Sequence, residues 1–301
     1  MDRRTILLGA GALTLAGCKP AQGEQVAGQA ADAVAQSVPL VRLDFSELEQ
    51  RFKGRLGLAF HVNGATNGWR AEERFVYCST FKMYLAAAMF VRAQNGLENL
   101  DREVPITQAD MISHAPITEK AVGKALSIKA LMKGTVEESD NPAANILLRE
   151  MGGLEAMRQF YRDLGDTTTR VDRFEPEMNR LDGDKDTIQP LQSVTNMQRL
   201  FTSDQTPLDE TSKATLLQWM FDSPTGADRI KAALPEGWTV AHKTGTGGYG
   251  PANDIGLIYP PSGEPIVIAI YFHGGAGSTP RGREQAIAEA TRTVLRSLGP
   301  V

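Results

Sequence analysis

Strand-like patterns stand near both ends of the chain and helical patterns fill the long stretch between them, so a single sheet has to be assembled from segments far apart in sequence. Arg55 to Val62 alternates Leu56, Leu58 and Phe60 with smaller residues. Strand character returns at Trp238 to Lys243, Asp254 to Tyr259 and Ile266 to Phe272, the last two joined by a Pro260-Pro261-Ser262-Gly263 turn. A helical pattern over Asp44 to Phe52 precedes the first strand. Another over Arg283 to Leu298 closes the chain, with Ile287, Thr291, Val294, Leu295 and Leu298 on one face and Gly299 as its stop. Between the two strand regions, Ser79 to Gln94, Ser127 to Glu138, Pro142 to Met151, Gly153 to Leu164 and Thr195 to Thr202 read as helices. The expected fold class is α+β, an α/β sandwich. Residues 40–75 and 213–301 form an antiparallel sheet flanked by the terminal helices, and 76–212 form an inserted all-α domain. A ligand cleft is expected between the two parts.

The first 18 residues read as an address. Arg3-Arg4 precedes a short apolar run, Ile6 to Leu15, which is too short to span a bilayer. Leu15-Ala16-Gly17-Cys18 resembles the lipobox of bacterial lipoproteins, which makes Cys18 the lipid-carrying mature N-terminus and the protein a periplasmic one anchored to a membrane. A plain signal peptide and a cytosolic tail are the alternatives. The arginine pair favours the twin-arginine export route over the general one. Residues 19–39, rich in Ala, Gln and Gly, read as a flexible tether. In a chain of 301 residues, 42% hydrophobic content is enough for a real core, and a net charge of -4 without a basic run gives nucleic acid no footing. The expected partner is a small molecule and the expected state a monomer. With only two cysteines, lipidation of Cys18 leaves Cys78 without an intramolecular partner. The four histidines are scattered, so no metal or other cofactor is expected.

Ser79-Thr80-Phe81-Lys82 opens an Ala-rich helical run, which places Ser79 at a helix start with Lys82 on the same face. A helix N-terminus offers backbone N–H groups to developing negative charge, and an amine at i+3 can take or relay the hydroxyl proton. Alone, this pattern is equally a capping serine beside an ordinary lysine. Ser139-Asp140-Asn141 before Pro142 is alone explained by Asn141 as N-cap with Pro142 at the first helical position. Lys243-Thr244-Gly245-Thr246, at the end of a strand, is alone a solvated strand end.

Together and in this order, the three motifs resemble the penicillin-recognising serine enzymes, which comprise β-lactamases and D-alanyl-D-alanine peptidases. A fourth segment separates these branches. Arg173-Phe174-Glu175-Pro176-Glu177-Met178-Asn179 resembles the omega loop of class A β-lactamases, with Arg173 and Asp186 as its closing ion pair. The stretch from Asn179 to Asp186 is about two residues shorter than in many members, which leaves the manner of closure open. A hydrolase that must shed an ester needs a carboxylate, here Glu175, to deprotonate a water fixed by a second polar group, here Asn179.

The resemblance implies a β-lactam hydrolase conferring antibiotic resistance, with penicillins and cephalosporins as substrates. It makes Ser79 the nucleophile and Ser139 the proton donor to the leaving nitrogen. The backbone N–H groups of Ser79 and Thr246 hold the oxyanion. Either Lys82 or Glu175 serves as base for acylation. Lys243, Thr244, Gly245, Thr246 and Arg229 form the carboxylate side of the site, and Asn141 takes the side-chain amide of the substrate. His114 stands where the family has an aromatic gate, Asn145 is a structural asparagine, and Ala252 replaces an arginine used by other members, which points to Arg229. Gly247 occupies the place where carbapenem-hydrolysing members often carry a cysteine, so their disulfide is absent; this argues against carbapenem turnover without excluding it. A D-alanyl-D-alanine peptidase and a silent muropeptide-binding lipoprotein remain the alternatives.

Overall fold

The computed structural model describes residues 43–299. The leader ending at Cys18 and the tether at 19–39 lie outside the described residues. In chain order the elements are α1 Ser46–Phe52, β1 Gly54–Val62, β2 Ala65–Trp69, β3 Phe75–Val76, α2 Phe81–Gln94, β4 Glu103–Pro105, β5 Ala125–Ser127, α3 Ile128–Glu137, α4 Asn141–Glu150 and α5 Gly153–Asp163. They continue with β6 Thr187–Ile188, α6 Pro190–Phe201, α7 Glu210–Asp222, β7 Thr239–Thr246, β8 Pro251–Tyr259, β9 Ile266–Gly274 and α8 Pro280–Ser297.

The main sheet has strand order β2-β1-β9-β8-β7, and every neighbouring pair is antiparallel. The early and late strand segments of the described residues meet at the β1–β9 pairing, where Leu58 faces Ile270. Alternation along β9 divides the core. Ile266, Ile268, Ile270 and Phe272 join Ile287, Val294 and Leu295 of α8 on one face of the sheet. Val267, Ala269 and Tyr271 pack on the other face, with the residues of α2, α3, α4 and α6. A strand covered by helices on both sides needs apolar residues in both registers, which is why 266–272 reads as a continuous apolar run.

The expected fold class is therefore the one observed, with three differences in detail. The boundary at 212/213 cuts through α7, a helix that the sequence pattern did not reveal: its Leu216, Trp219 and Met220 join the helical-side core. That core also takes in Ala241, Ile255 and Tyr271, so the sheet is a shared layer and not the property of one segment. Finally, the cap of α4 is Asp140, whose carboxylate accepts the Ala143 N–H, so Asn141 is the first helical residue and Pro142 the second. The shift of one position releases the Asn141 side chain from capping.

Candidate active site

Ser79 lies in a short 3-10 turn, Cys78–Thr80, that leads directly into α2. No side chain caps this helix start, so the Ser79 hydroxyl is not used to satisfy backbone N–H groups. Cys78 before it has φ 49°, a left-handed conformation that a side chain adopts only under constraint from its surroundings. The Cys78 thiol is free and buried, and burial followed by the neighbouring Glu175 pushes its pKa up, away from thiolate chemistry.

The K-T-G strand approaches this turn closely. A Cβ on Gly245 would stand 2.7 Å from the Tyr77 carbonyl and 3.1 Å from Cys78 Cβ, so only glycine lets β7 lie this near Ser79. From the neighbouring strand, the Asn253 amide donates to the carbonyls of Val76 and Tyr77 at 2.9 and 3.0 Å, tying the nucleophile segment to the sheet.

The two lysines meet at Ser139. Lys243 Nζ donates to Ser139 Oγ at 3.1 Å, and Lys82 Nζ reaches the same oxygen at 3.4 Å and the Ser139 carbonyl at 2.6 Å. Ser139 itself has φ 58°. With lysine donors on its oxygen, the Ser139 hydroxyl keeps its own proton for another acceptor. Both ammonium groups are fully buried. Burial lowers the pKa of Lys82, opposed by the Glu175 carboxylate; burial and then the charge of Lys82 lower that of Lys243 further.

Glu175 is buried and faces both Ser79 and Lys82. Ser79 Oγ donates to its Oε1 at 3.4 Å, and Lys82 Nζ lies 3.3 Å from the same atom. The Asn179 amide donates to Oε2, while Asn179 Oδ1 is buried and has no protein partner among the described residues. Asn145 bonds both the N–H and the carbonyl of Glu175, at 2.9 and 2.8 Å. The loop carrying Glu175 closes in spite of its short return. Asp186 takes Arg173 Nε at 2.5 Å, the N–H groups of Asp172 and Arg173, and the Tyr77 hydroxyl; Arg173 also holds the Arg180 carbonyl at 2.7 Å. The β3–β6 pair follows Asp186 at the loop's base.

On the carboxylate side, Arg229 is buried beneath β7 and β8. Its guanidinium donates to the carbonyls of Gly245 and Asn253 at 3.1 and 2.9 Å and to Thr246 Oγ1 at 2.7 Å. Ala252 is the register partner of Thr246, as expected for a site with its arginine elsewhere. Glu284 of α8 pairs with Arg229 at 3.2 Å, a contact that sequence reading did not foresee because nothing local marks it. Thr244 Oγ1 shares a hydrogen bond with Thr225 Oγ1 at 2.8 Å.

Two further expected site residues are held by protein partners. The Asn141 amide is largely engaged, its Oδ1 with Lys82 at 2.5 Å and its Nδ2 with the Ser113 carbonyl at 2.8 Å, so one N–H remains for a substrate. The His114 ring is bonded through Nε2 to the Glu138 carbonyl at 2.9 Å, and its backbone has φ 63°. Asp140 was legible only as the centre of its motif. It gathers the N–H groups of Ile117 and Thr118 as well as Ala143, and so fixes the loop that carries Ser139.

Comparison with known proteins gives the chain's family. The model of the Beta-lactamase enzyme family matches residues 41–298. Beta-lactamase OXY-2 of Klebsiella oxytoca is 35% identical, over 89% of this chain and 93% of that one. A beta-lactamase of Mycobacterium tuberculosis is 40% identical, over 83% of each. The solved class A beta-lactamase from Mycobacterium abscessus superposes with a TM-score of 0.81 at 40% identity, covering 85% of this chain and 98% of its own. With the family model spanning residues 41–298 and relatives at 35% and 40% identity over most of its length, the chain that carries this nucleophile turn, its two buried lysines and the carboxylate loop belongs to the beta-lactamase enzyme family as a class A serine β-lactamase.

Proposed function

We propose that this enzyme hydrolyses penicillins and cephalosporins through an acyl-enzyme on Ser79, with Glu175 as the base in both halves of the reaction. The contact from Ser79 Oγ to Glu175 Oε1, at 3.4 Å, carries the reading. In acylation the Ser79 hydroxyl gives its proton to Glu175 as its oxygen adds to the lactam carbonyl. The C–N bond then breaks, and the ring nitrogen takes the proton of Ser139. Lys82 lies within reach of both Glu175 and Ser139, so it can return the proton from one to the other. In deacylation a water gives a proton to Glu175 and attacks the ester, and Ser79 leaves with that proton. The buried Asn179 Oδ1 supports a water position there, since a buried acceptor calls for a donor. Lys243, Thr244 and Thr246 bind the substrate carboxylate, Arg229 supports them with its charge and its bond to Thr246 Oγ1, the oxyanion lies on the N–H groups of Ser79 and Thr246, and Asn141 offers its remaining N–H to the acyl side chain.

A chromogenic cephalosporin, with mass spectrometry of the quenched enzyme, tests this reading. Glu175→Ala is expected to trap an acyl-enzyme on Ser79 or to acylate slowly, and no variant lacking Ser79 gains mass. Steady turnover in Glu175→Ala at the wild-type rate would sink it.

The reading extends to an exported monomer anchored through Cys18. Metabolic labelling with a fatty acid is expected to mark the wild type and to miss Cys18→Ala; labelling of both would remove the anchor from the proposal.

A further inference from the structure

A cavity of about 380 Å³ is lined by Asn141, Asn179 and Thr246 of the site together with Glu177, Arg180 and Tyr249. Arg180 is the residue at which the omega loop's short 3-10 turn, Glu177–Asn179, ends, and its backbone is pinned at both polar groups. Its N–H donates to the Glu177 carbonyl at 3.1 Å, and its carbonyl accepts from Arg173 Nη2 at 2.7 Å. Its side chain, by contrast, makes no hydrogen bond or ion pair among the described residues. The guanidinium lies over the ring of Tyr249, 5.9 Å from its centroid, and Tyr249 is 74% exposed. The carboxylate next along the chain, Asp182, is taken by Lys185 at 2.8 Å and by Arg173 at 3.5 Å. Glu177, on the same cavity, has no ion-pair partner among the described residues either.

An arginine stacked on an aromatic ring is oriented by that ring and loses little freedom on forming a paired contact, and its planar fork matches a carboxylate. An exposed aromatic beside it offers a face to a planar group of the ligand. The cavity opens from the side of the site where Asn141 stands, which is where the acyl side chain of a bound β-lactam lies in the reading above, on which this inference rests.

We infer that Arg180, backed by Tyr249, is a specificity residue that selects β-lactams whose acyl side chain carries a carboxylate next to an aryl group. Glu177 opposes it, and so limits the preference.

A matched pair of substrates isolates the effect. Carbenicillin and benzylpenicillin differ by one carboxylate on the carbon that bears the phenyl ring, so the ratio of their kcat/KM values cancels everything common to the two reactions. Arg180→Gln is expected to lower the carbenicillin-to-benzylpenicillin ratio about fivefold, Arg180→Lys to lower it less, and Glu177→Gln to raise it about twofold, magnitudes set by partly exposed charge pairs. Thermal melting of each variant confirms that it is folded. A ratio in folded Arg180→Gln that stays within about twofold of wild type overturns the inference and leaves the hydrolytic mechanism standing. Failure of the wild type to turn over benzylpenicillin overturns both.

Discussion

Ser79 and Lys82 lie on one helix start, yet both side chains converge on a third residue: Oε1 of Glu175 stands 3.4 Å from Ser79 Oγ and 3.3 Å from Lys82 Nζ. Among the described residues Lys82 Nζ contacts Ser139, Asn141 and Glu175, and in the reading proposed above the carboxylate is the acceptor for the nucleophile's proton.

The orientation of that carboxylate depends on Asn179. In Asn179→Ala the bond to Oε2 and the buried Oδ1 both disappear. Deacylation is expected to slow by roughly 10²-fold, the scale of a displaced general base, while acylation slows less. A pre-steady-state burst of cephalosporin hydrolysis, absent or small in the wild type, measures it; equal slowing of both steps would contradict the assignment.

Lys243 supplies the pH dependence. Its pKa lies well below that of an ordinary lysine, lowered by burial and then by the charge of Lys82. A lowered pKa means that the ammonium is lost sooner as pH rises, and with it the attraction for a substrate carboxylate. The alkaline limb of kcat/KM should therefore fall well below 10.5 and be expressed mostly in KM. Lys243→Arg, which stays charged, is expected to remove that limb. A limb unmoved by the substitution would assign it to another group.

Gly245 tests the close packing of strand and nucleophile. Gly245→Ala must displace either β7 or the Tyr77–Cys78 backbone, since the new Cβ would stand 2.7 Å from the Tyr77 carbonyl. A misplacement of that kind costs about 10²-fold in kcat/KM. Stopped-flow acylation should show the loss, with the fold retained by circular dichroism.

The omega loop depends on Asp186, fully buried with Arg173, two backbone N–H groups and Tyr77 around it. Asp186→Ala leaves these buried donors unmatched and Arg173 with only its 3.5 Å contact to Asp182, at a cost of about 3 kcal/mol. Urea unfolding measures the stability, and a loss under about 1 kcal/mol would show that water replaces the carboxylate.

Much of the layout is legible in the sequence because it rests on local pattern. The alternation of Leu56, Leu58 and Phe60 and the apolar run at 266–272 mark strands, and the Ala-rich stretch after Lys82 marks a buried helix. The site is legible for a different reason, since its chemistry requires particular residue types at fixed order. What escaped depends on tertiary contact. Helix α7 has polar residues interleaved with Leu216, Trp219 and Met220, so its buried side is weakly marked. Asp140 and Asn141 are both good capping residues, and the choice between them is decided by Ile117 and Thr118, which only the fold brings near. Glu284 reaches Arg229 from the last helix, across 55 residues of chain. The closure of the loop through Arg173 was expected, but the Tyr77 hydroxyl on the same carboxylate was not.

The antiparallel pairing of β1 with β9 joins segments about two hundred residues apart, and β7, which carries Lys243, is held in place through β8 and β9. Closing so long a loop is a late and entropically costly event for a polypeptide. Ser79, Lys82 and Ser139 belong to the largely helical stretch between the outer strands, which can order early, but Lys243 reaches them only when the sheet is complete. Recovery of hydrolysis after dilution from denaturant is thus a clock for the last long-range pairing, and helical signal recovered ahead of it marks molecules that are ordered but still inert.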